Sequence, residues 1–167
     1  MSATQIQSLT ENDVVAFLKA RFSLETEAAQ SLASSSGGSI ARAVELHNGA
    51  YLGMRDELME MISEGQMQGP LMRLFMVKRF GEDREEVLER LGILRMCYRD
   101  VLFFRETGER SGLINRDRTD VIKPLAEKMP VEDIINNIKT IDGTLRAVEL
   151  YADKTLALEV MMLRLVS

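Results

Sequence analysis

Few residues in this chain could carry out covalent chemistry. It has one cysteine, Cys97, and one histidine, His47, which lie far apart in the sequence with no recognisable motif around either. An activated thiolate needs a base or a cationic group beside it, and a zinc site needs three or four protein ligands. Cys97 also falls within an apolar helical pattern. We therefore predict that it is a buried structural thiol.

A second candidate is the stretch Ser-Ser-Ser-Gly-Gly at residues 34–38. A serine nucleophile needs a base, and no histidine motif accompanies this one. A helix terminator explains the same residues, because glycine adopts the left-handed backbone that helix ends require. The sequence also lacks GxxxxGK[ST], CxxC, HExxH and an EF-hand loop. We predict no catalytic residue, no metal ligand, no cofactor and no small-molecule substrate.

The composition argues against nucleic acid and membranes as direct partners. The net charge is −5 and aromatic residues make up 5% of the chain, whereas phosphate contacts need cations and base stacking needs aromatic rings. No apolar run is long enough to cross a bilayer, and no signal pattern is present at the N-terminus. A single cysteine fits a reducing compartment. We therefore expect a cytoplasmic protein.

The longest periodic segment, residues 83–107, is the predicted spine of a helical bundle. Glycines precede and follow it, and carboxylates in its first turn suit the positive end of the helix dipole. Its apolar residues recur at the spacing of an amphipathic helix. They are Val87, Leu91, Leu94, Tyr98 and Val101.

Other segments show the same periodicity, and none alternates with the period of a strand. Capping residues are predicted at Thr10 (with Asp13), Ser23 and Ser39, and Pro70 suits the first turn of a helix. The predicted helices span 11–21, 24–35, 40–47, 50–64, 71–80, a segment that begins at Asp117 or Thr119 and ends near Lys128, 131–151 and 155–166. The sequence therefore predicts an all-α fold.

Two residues and one helix lead to specific structural predictions. Pro124 predicts a kink or a split in its helix, because proline removes a backbone donor. Gly143 lies inside a long helix, which predicts close approach of a neighbouring helix. The last helix, 155–166, is apolar almost all round, which is typical of a helix enclosed by others.

The segment ETEAAQSLASSSGGSIARAVEL at residues 25–46 resembles the small helical lid of AAA+ ATPase modules of the clamp-loader type. In those lids, G-S-x-R-x-A opens a helix, and its arginine (sensor 2) contacts the nucleotide phosphates. Gly38 and Ser39 match the G-S, but Ala41 stands at the arginine position and Arg42 comes one residue late. The resemblance implies a lid that does not contact a γ-phosphate.

Two further segments resemble the C-terminal part of delta-prime subunits of the bacterial DNA polymerase III clamp loader. That family shows an R-D pair, then L-I-N-x-D, and closes on a leucine-rich L-A-L-E helix. ATPase subunits of the gamma/tau type share the last piece, so the R-D…L-I-N-x-D pattern and the missing lid arginine favour delta-prime. The matching residues are Arg99, Asp100, Asn115, Asp117, Leu158 and Glu159.

The resemblance implies a division of labour within the chain. Residues 1–48 would form the three-helix lid, and residues 50–167 would form a helical collar that packs against the gamma/tau and delta subunits. That assembly loads the sliding clamp onto primed DNA. An AAA+ core with a zinc-binding insertion would precede residue 1. We predict the interface on the spine around Arg95, Arg99 and Arg105, together with the helix 131–151.

Two alternatives remain open. A freestanding helical adaptor without a role in replication would have the same composition. The discriminating observation is whether the parent gene encodes a nucleotide-binding fold upstream of residue 1. A fragment of a competent ATPase subunit would need an arginine at position 41, where this chain has alanine.

Overall fold

The computed structural model describes residues 10–49, 51–63 and 69–166 of the chain. All regular secondary structure in these ranges is helical, so the predicted all-α class is confirmed. The α-helices are α1 (Glu11–Phe22), α2 (Thr26–Ser35), α3 (Ile40–Asn48), α4 (Tyr51–Ser63), α5 (Pro70–Met76), α6 (Arg84–Thr107), α7 (Thr119–Lys128), α8 (Val131–Glu149) and α9 (Lys154–Arg164). Short 3-10 turns span Val77–Phe80 and Arg116–Arg118.

The chain divides into two compact units. The first is Met1–Leu52 with Ile114–Asp117, and the second is Gly53–Leu113 with Arg118–Ser167. The assignment of an AAA+ lid to 1–48 and a collar to 50–167 stays a prediction. None of the helices in the described segments is long and apolar enough to span a membrane.

Capping side chains set the helix starts of the first unit. The Thr10 hydroxyl accepts the Asp13 N–H at 3.3 Å, and the Asp13 carboxylate accepts the Thr10 N–H at 2.9 Å, which is the predicted capping box. The hydroxyl of Ser39 accepts the N–H of Arg42 at 3.2 Å and opens α3, also as predicted. Together these bonds satisfy N–H groups that have no partner within the helix.

The prediction that Ser23 begins a helix is wrong. Ser23 instead ends α1 in the left-handed conformation, with φ of 54°, and its N–H donates to the carbonyl of Lys19 at 3.1 Å. The helix α2 begins two residues later than expected, after Glu25. A left-handed cap is usually glycine, so a serine in this role gives no signal that a pattern search could use.

The segment 114–117 contributes a buried polar contact to the first unit. The hydroxyl of Ser31 in α2 donates to the side-chain oxygen of Asn115 at 3.2 Å, and both residues are fully buried. A buried hydrogen bond of this kind is costly to break from one side, because the remaining group keeps its desolvation penalty. Asn115 therefore has a structural role in the first unit.

The helix α6 is the centre of the second unit and packs against α7 and α8. Its predicted apolar stripe, Val87, Leu91, Leu94, Tyr98 and Val101, is buried throughout. The side chain of Asp83 accepts the N–H of Glu86 at 2.8 Å at its start. Gly108, with φ of 67°, ends the helix in the left-handed conformation that glycine favours.

A polar residue occupies a core position on α8. Asn137 is fully buried, and its amide pairs with the backbone of Val166: Nδ2 donates to the carbonyl at 2.7 Å, and Oδ1 accepts the N–H at 2.8 Å. The two bonds tie the residues after α9 to the N-terminal half of α8. Because this end of α9 lies beside the start of α8, the two helices run antiparallel.

The predicted split at Pro124 is wrong, because α7 is one helix from Thr119 to Lys128. The proline removes one backbone hydrogen bond within it. Ile122, Leu125 and Ala126 around it are buried, and burial of such side chains is worth more than one hydrogen bond.

Candidate protein interface

Cys97 lies in the core of the second unit, as its place in the apolar stripe predicted. Burial, followed by the charge of Asp100, raises the pKa of its thiol to about 12. The thiol is therefore neutral at physiological pH, and a neutral thiol is a poor nucleophile. In the described ranges, His, Cys, Asp and Glu side chains form no group that could hold a metal ion.

The arginines predicted at an interface all bond within the second unit, and each holds α6 to a neighbouring segment. Their assignment to an interface stays a prediction. Arg95 donates to Asp142 at 3.3 Å, Arg99 to Asp100 at 2.7 Å and to the carbonyl of Gly112 at 2.8 Å, and Arg105 to the carbonyl of Ala126 at 3.0 Å.

The residues of the lid motif lie around the start of α3. Gly38 has φ of 84° and Ser39 is the N-cap, while Ala41 is exposed on the first turn. Arg42 forms an exposed ion pair with Glu45 at 2.7 Å. Surface pairs of this kind are worth at most about 1 kcal/mol.

The residues of the second motif are divided between the two units. Asn115 and Asp117 belong to the first, whereas Arg99, Asp100, Leu158 and Glu159 belong to the second. Asp100 and Leu158 are buried, and Glu159 is half-buried. Within the second unit the R-D pair lies on α6 and the L-E pair on α9.

The helix α9 has one buried row and one exposed row of apolar side chains. Leu158, Met161, Met162 and Leu165 are buried, but Leu156, Val160 and Leu163, spaced i, i+4 and i+7, are 38–59% exposed. The prediction that this helix is enclosed on all sides is wrong. A helix that is apolar all round needs cover on every side, and the described residues leave the row of Leu156, Val160 and Leu163 uncovered.

The helix α5 packs against α9 and exposes apolar side chains of its own. Leu71, Met72, Leu74 and Phe75 are 37–75% exposed. We call these four residues, with Leu156, Val160 and Leu163, the α5–α9 surface. Isolated exposed hydrophobic residues are ordinary, but a concentration of them on two packed helices is typical of a protein-binding surface.

A groove of about 640 Å³ runs between α8 and α9. Gly143 lies on its α8 side, and a Cβ added there would meet no atom within 4 Å. The predicted close approach of another helix at Gly143 is therefore wrong within the described residues of this chain, where the glycine faces open space. The α8 wall is Asn136, Lys139, Thr140, Gly143, Thr144 and Ala147, and the α9 wall includes Leu156, Ala157, Val160, Met161 and Arg164.

The region that contains the groove and the α5–α9 surface also matches a known family. The model of a family described as DNA polymerase III, delta subunit, C terminal, matches residues 52–167. The chain belongs to this family. Comparison with curated proteins and with solved structures found no match.

Membership of this family confirms the predicted resemblance to a subunit of DNA polymerase III. The match contains the whole second unit, including α5, the groove and α9. The residues of the lid motif lie outside it.

Sequence reasoning missed the α5–α9 surface of this family member. The apolar content of residues 71–80 predicts a helix there. Helical periodicity does not indicate which of its apolar residues remain exposed after folding. A signal was present nonetheless. Apolar residues occupy almost the whole circumference of α9, which is a feature of helices that need neighbours on every side.

Proposed function

We propose that this chain is the assembly part of a clamp-loader subunit of the delta-prime type. In this role the second unit is a collar that binds the gamma/tau and delta subunits, and the assembled complex places the sliding clamp on primed DNA. Family membership supports the DNA polymerase III part of the proposal. The R-D…L-I-N-x-D pattern, with Ala41 at the lid arginine position, favours delta-prime.

The observation that carries the proposal is the α5–α9 surface. It presents large apolar side chains on two packed helices inside the region that matches the family. A specific protein interface buries on the order of 800 Å² per partner, and its centre is mostly apolar. Exposed leucine and phenylalanine side chains gain about 25 cal/mol for each Å² that a partner covers. The surface therefore has the chemistry of a contact between subunits.

The proposed role is mechanical and assigns no bond-breaking step to this chain. The Cys97 thiol, with its raised pKa, is unsuited to nucleophilic attack. Arg42 is paired with Glu45 on the surface of α3, which agrees with a lid that does not contact a phosphate. ATP hydrolysis would take place on the gamma/tau subunits.

The test is co-purification of the chain with gamma/tau and delta subunits from the same organism. We expect the wild-type chain to elute with at least one of them. The double variant Leu71→Gln/Phe75→Gln should weaken that binding about tenfold or more, because large anchors dominate interface energies. Both side chains are exposed and glutamine is a good helix former, so the variant should fold.

Leu150→Gln is the matched control, because Leu150 is more exposed than either residue and lies outside the α5–α9 surface. It should bind as wild type does. Failure of the wild-type chain to bind any of these subunits would contradict the proposal and favour the helical adaptor.

A further inference from the structure

The α8–α9 groove has a shape that suits a helix. Its α8 wall runs from Asn136 to Ala147, about 16 Å or three helical turns at 1.5 Å per residue. Small residues on this wall, above all Gly143, let another backbone approach closely. The opposite wall carries Leu156 and Val160, which can pack against an apolar ridge. An extended peptide would need unpaired backbone groups, which two helices do not offer.

The charges in the groove are placed unevenly. Lys139 and Arg164 lie at one end, because the bonds between Asn137 and Val166 bring these parts of α8 and α9 together. Both cations are exposed, and neither forms an ion pair with another described residue. Asp153 lies at the other end, where its carboxylate accepts the N–H of Leu156 at 2.8 Å as the cap of α9. The end of the groove that carries Lys139 and Arg164 is therefore positive, and the end that carries Asp153 is negative.

We infer that the groove receives an amphipathic helix of a neighbouring clamp-loader subunit, whose apolar ridge packs on Leu156 and Val160. Carboxylates at one end of that helix pair with Lys139 and Arg164. This inference rests on the proposed function and identifies the partner's chemistry. Leu156 and Val160 belong both to the groove and to the α5–α9 surface, so one partner helix can contact residues of both.

Two variants of the full chain test the fit. Gly143→Gln adds a side chain to the groove whose Cβ meets no atom within 4 Å, and it replaces a poor helix former with a good one, so it should fold at least as stably as wild type. Gly53→Gln is its control, because Gly53 is an exposed helical glycine with the same free space around it. We expect Gly143→Gln to weaken binding to the gamma/tau or delta subunits about tenfold and Gly53→Gln to leave it unchanged.

Charge reversal tests the acidic end of the partner helix. Lys139→Glu/Arg164→Glu should weaken binding about tenfold at low salt and less at high salt, because exposed charges are screened. The control is Lys128→Glu/Arg146→Glu, which changes the net charge equally outside the groove. Arg146, Arg164 and Lys128 each lie in the last turn of a helix, so the control carries at least as large a dipole penalty as the groove variant.

Isothermal titration calorimetry of each variant with gamma/tau and with delta gives the affinities, and thermal unfolding checks the fold. Wild-type affinity in both groove variants would overturn the inference while leaving the proposed function standing, provided that Leu71→Gln/Phe75→Gln is impaired. If the wild-type chain instead forms a dimer that the groove variants dissociate, the occupant is a second copy and the inference is wrong. If the wild-type chain binds no loader subunit, the proposed function and the inference both fail.

Discussion

The second unit has two faces that carry cations, and the two use those cations differently. On α6, Arg95, Arg99 and Arg105 donate hydrogen bonds to other parts of the same unit. At the α8–α9 groove, Lys139 and Arg164 have no such contacts with the described part of the chain, and they lie beside exposed apolar side chains. The comparison teaches that the cations of α6 are already used within the unit, whereas those of the groove are still available to a partner.

The largest expected effect is a difference in stability between a substitution in the buried core of α6 and one in the exposed apolar row of α9. Leu94→Ala should lower the free energy of unfolding by about 2–5 kcal/mol, because it leaves a cavity among fully buried side chains. Leu163→Ala should cost less than about 1 kcal/mol, because half of that side chain is already in water. Urea denaturation of both variants measures the difference. Equal costs would mean that α9 is covered as completely as α6.

A smaller difference in stability is expected between substitutions of two arginines of α6. Arg99→Ala removes a hydrogen bond to the fully buried carboxylate of Asp100 and a cation–π contact with Phe103, so it should cost about 1–3 kcal/mol. Arg95→Ala breaks a pair that is exposed on both sides and should cost at most about 1 kcal/mol. If urea denaturation shows that Arg95→Ala lowers the free energy of unfolding as much as Arg99→Ala does, then the exposure of a contact does not indicate how much it contributes to stability.

The smallest effect concerns the open side of α8. Gly143→Ala should raise the free energy of unfolding by about 0.5–1 kcal/mol, because alanine favours the helix and its Cβ meets no other atom. Gly108→Ala should lower it, because Gly108 has a φ of 67° that alanine adopts only with strain. Thermal unfolding of the two variants distinguishes them. A loss of stability in Gly143→Ala would indicate that the groove is narrower than described.

Local features of this fold were predictable from the sequence. The capping box at Thr10, the cap at Ser39 and the apolar stripe of α6 follow from interactions between residues a few positions apart, and all are confirmed. The burial of Asn137 was not predicted, because it depends on hydrogen bonds with Val166, which lies far along the chain. Helical spacing favours the neighbouring Ile138 as a core residue, whereas Ile138 is only half-buried.

The candidate site was harder to predict than the fold. Its location depends on which apolar residues find cover within the chain, and that is a property of tertiary packing. A glycine inside a helix occurs both where another helix packs closely and where a groove is open. The sequence does not distinguish these two cases, and the prediction at Gly143 was wrong for this reason. The cations of α6 and of the groove are equally charged in sequence. Only the positions of Asp142, Asp100 and the carbonyl of Ala126 distinguish them.

The most direct test of the central claim is hydrogen–deuterium exchange of the chain, alone and mixed with gamma/tau and delta subunits. The account predicts slower exchange on binding in α5, in α9 and along the groove side of α8, with α6 from Arg95 to Arg105 unchanged. Protection confined to that stretch of α6, or no protection anywhere, would contradict it.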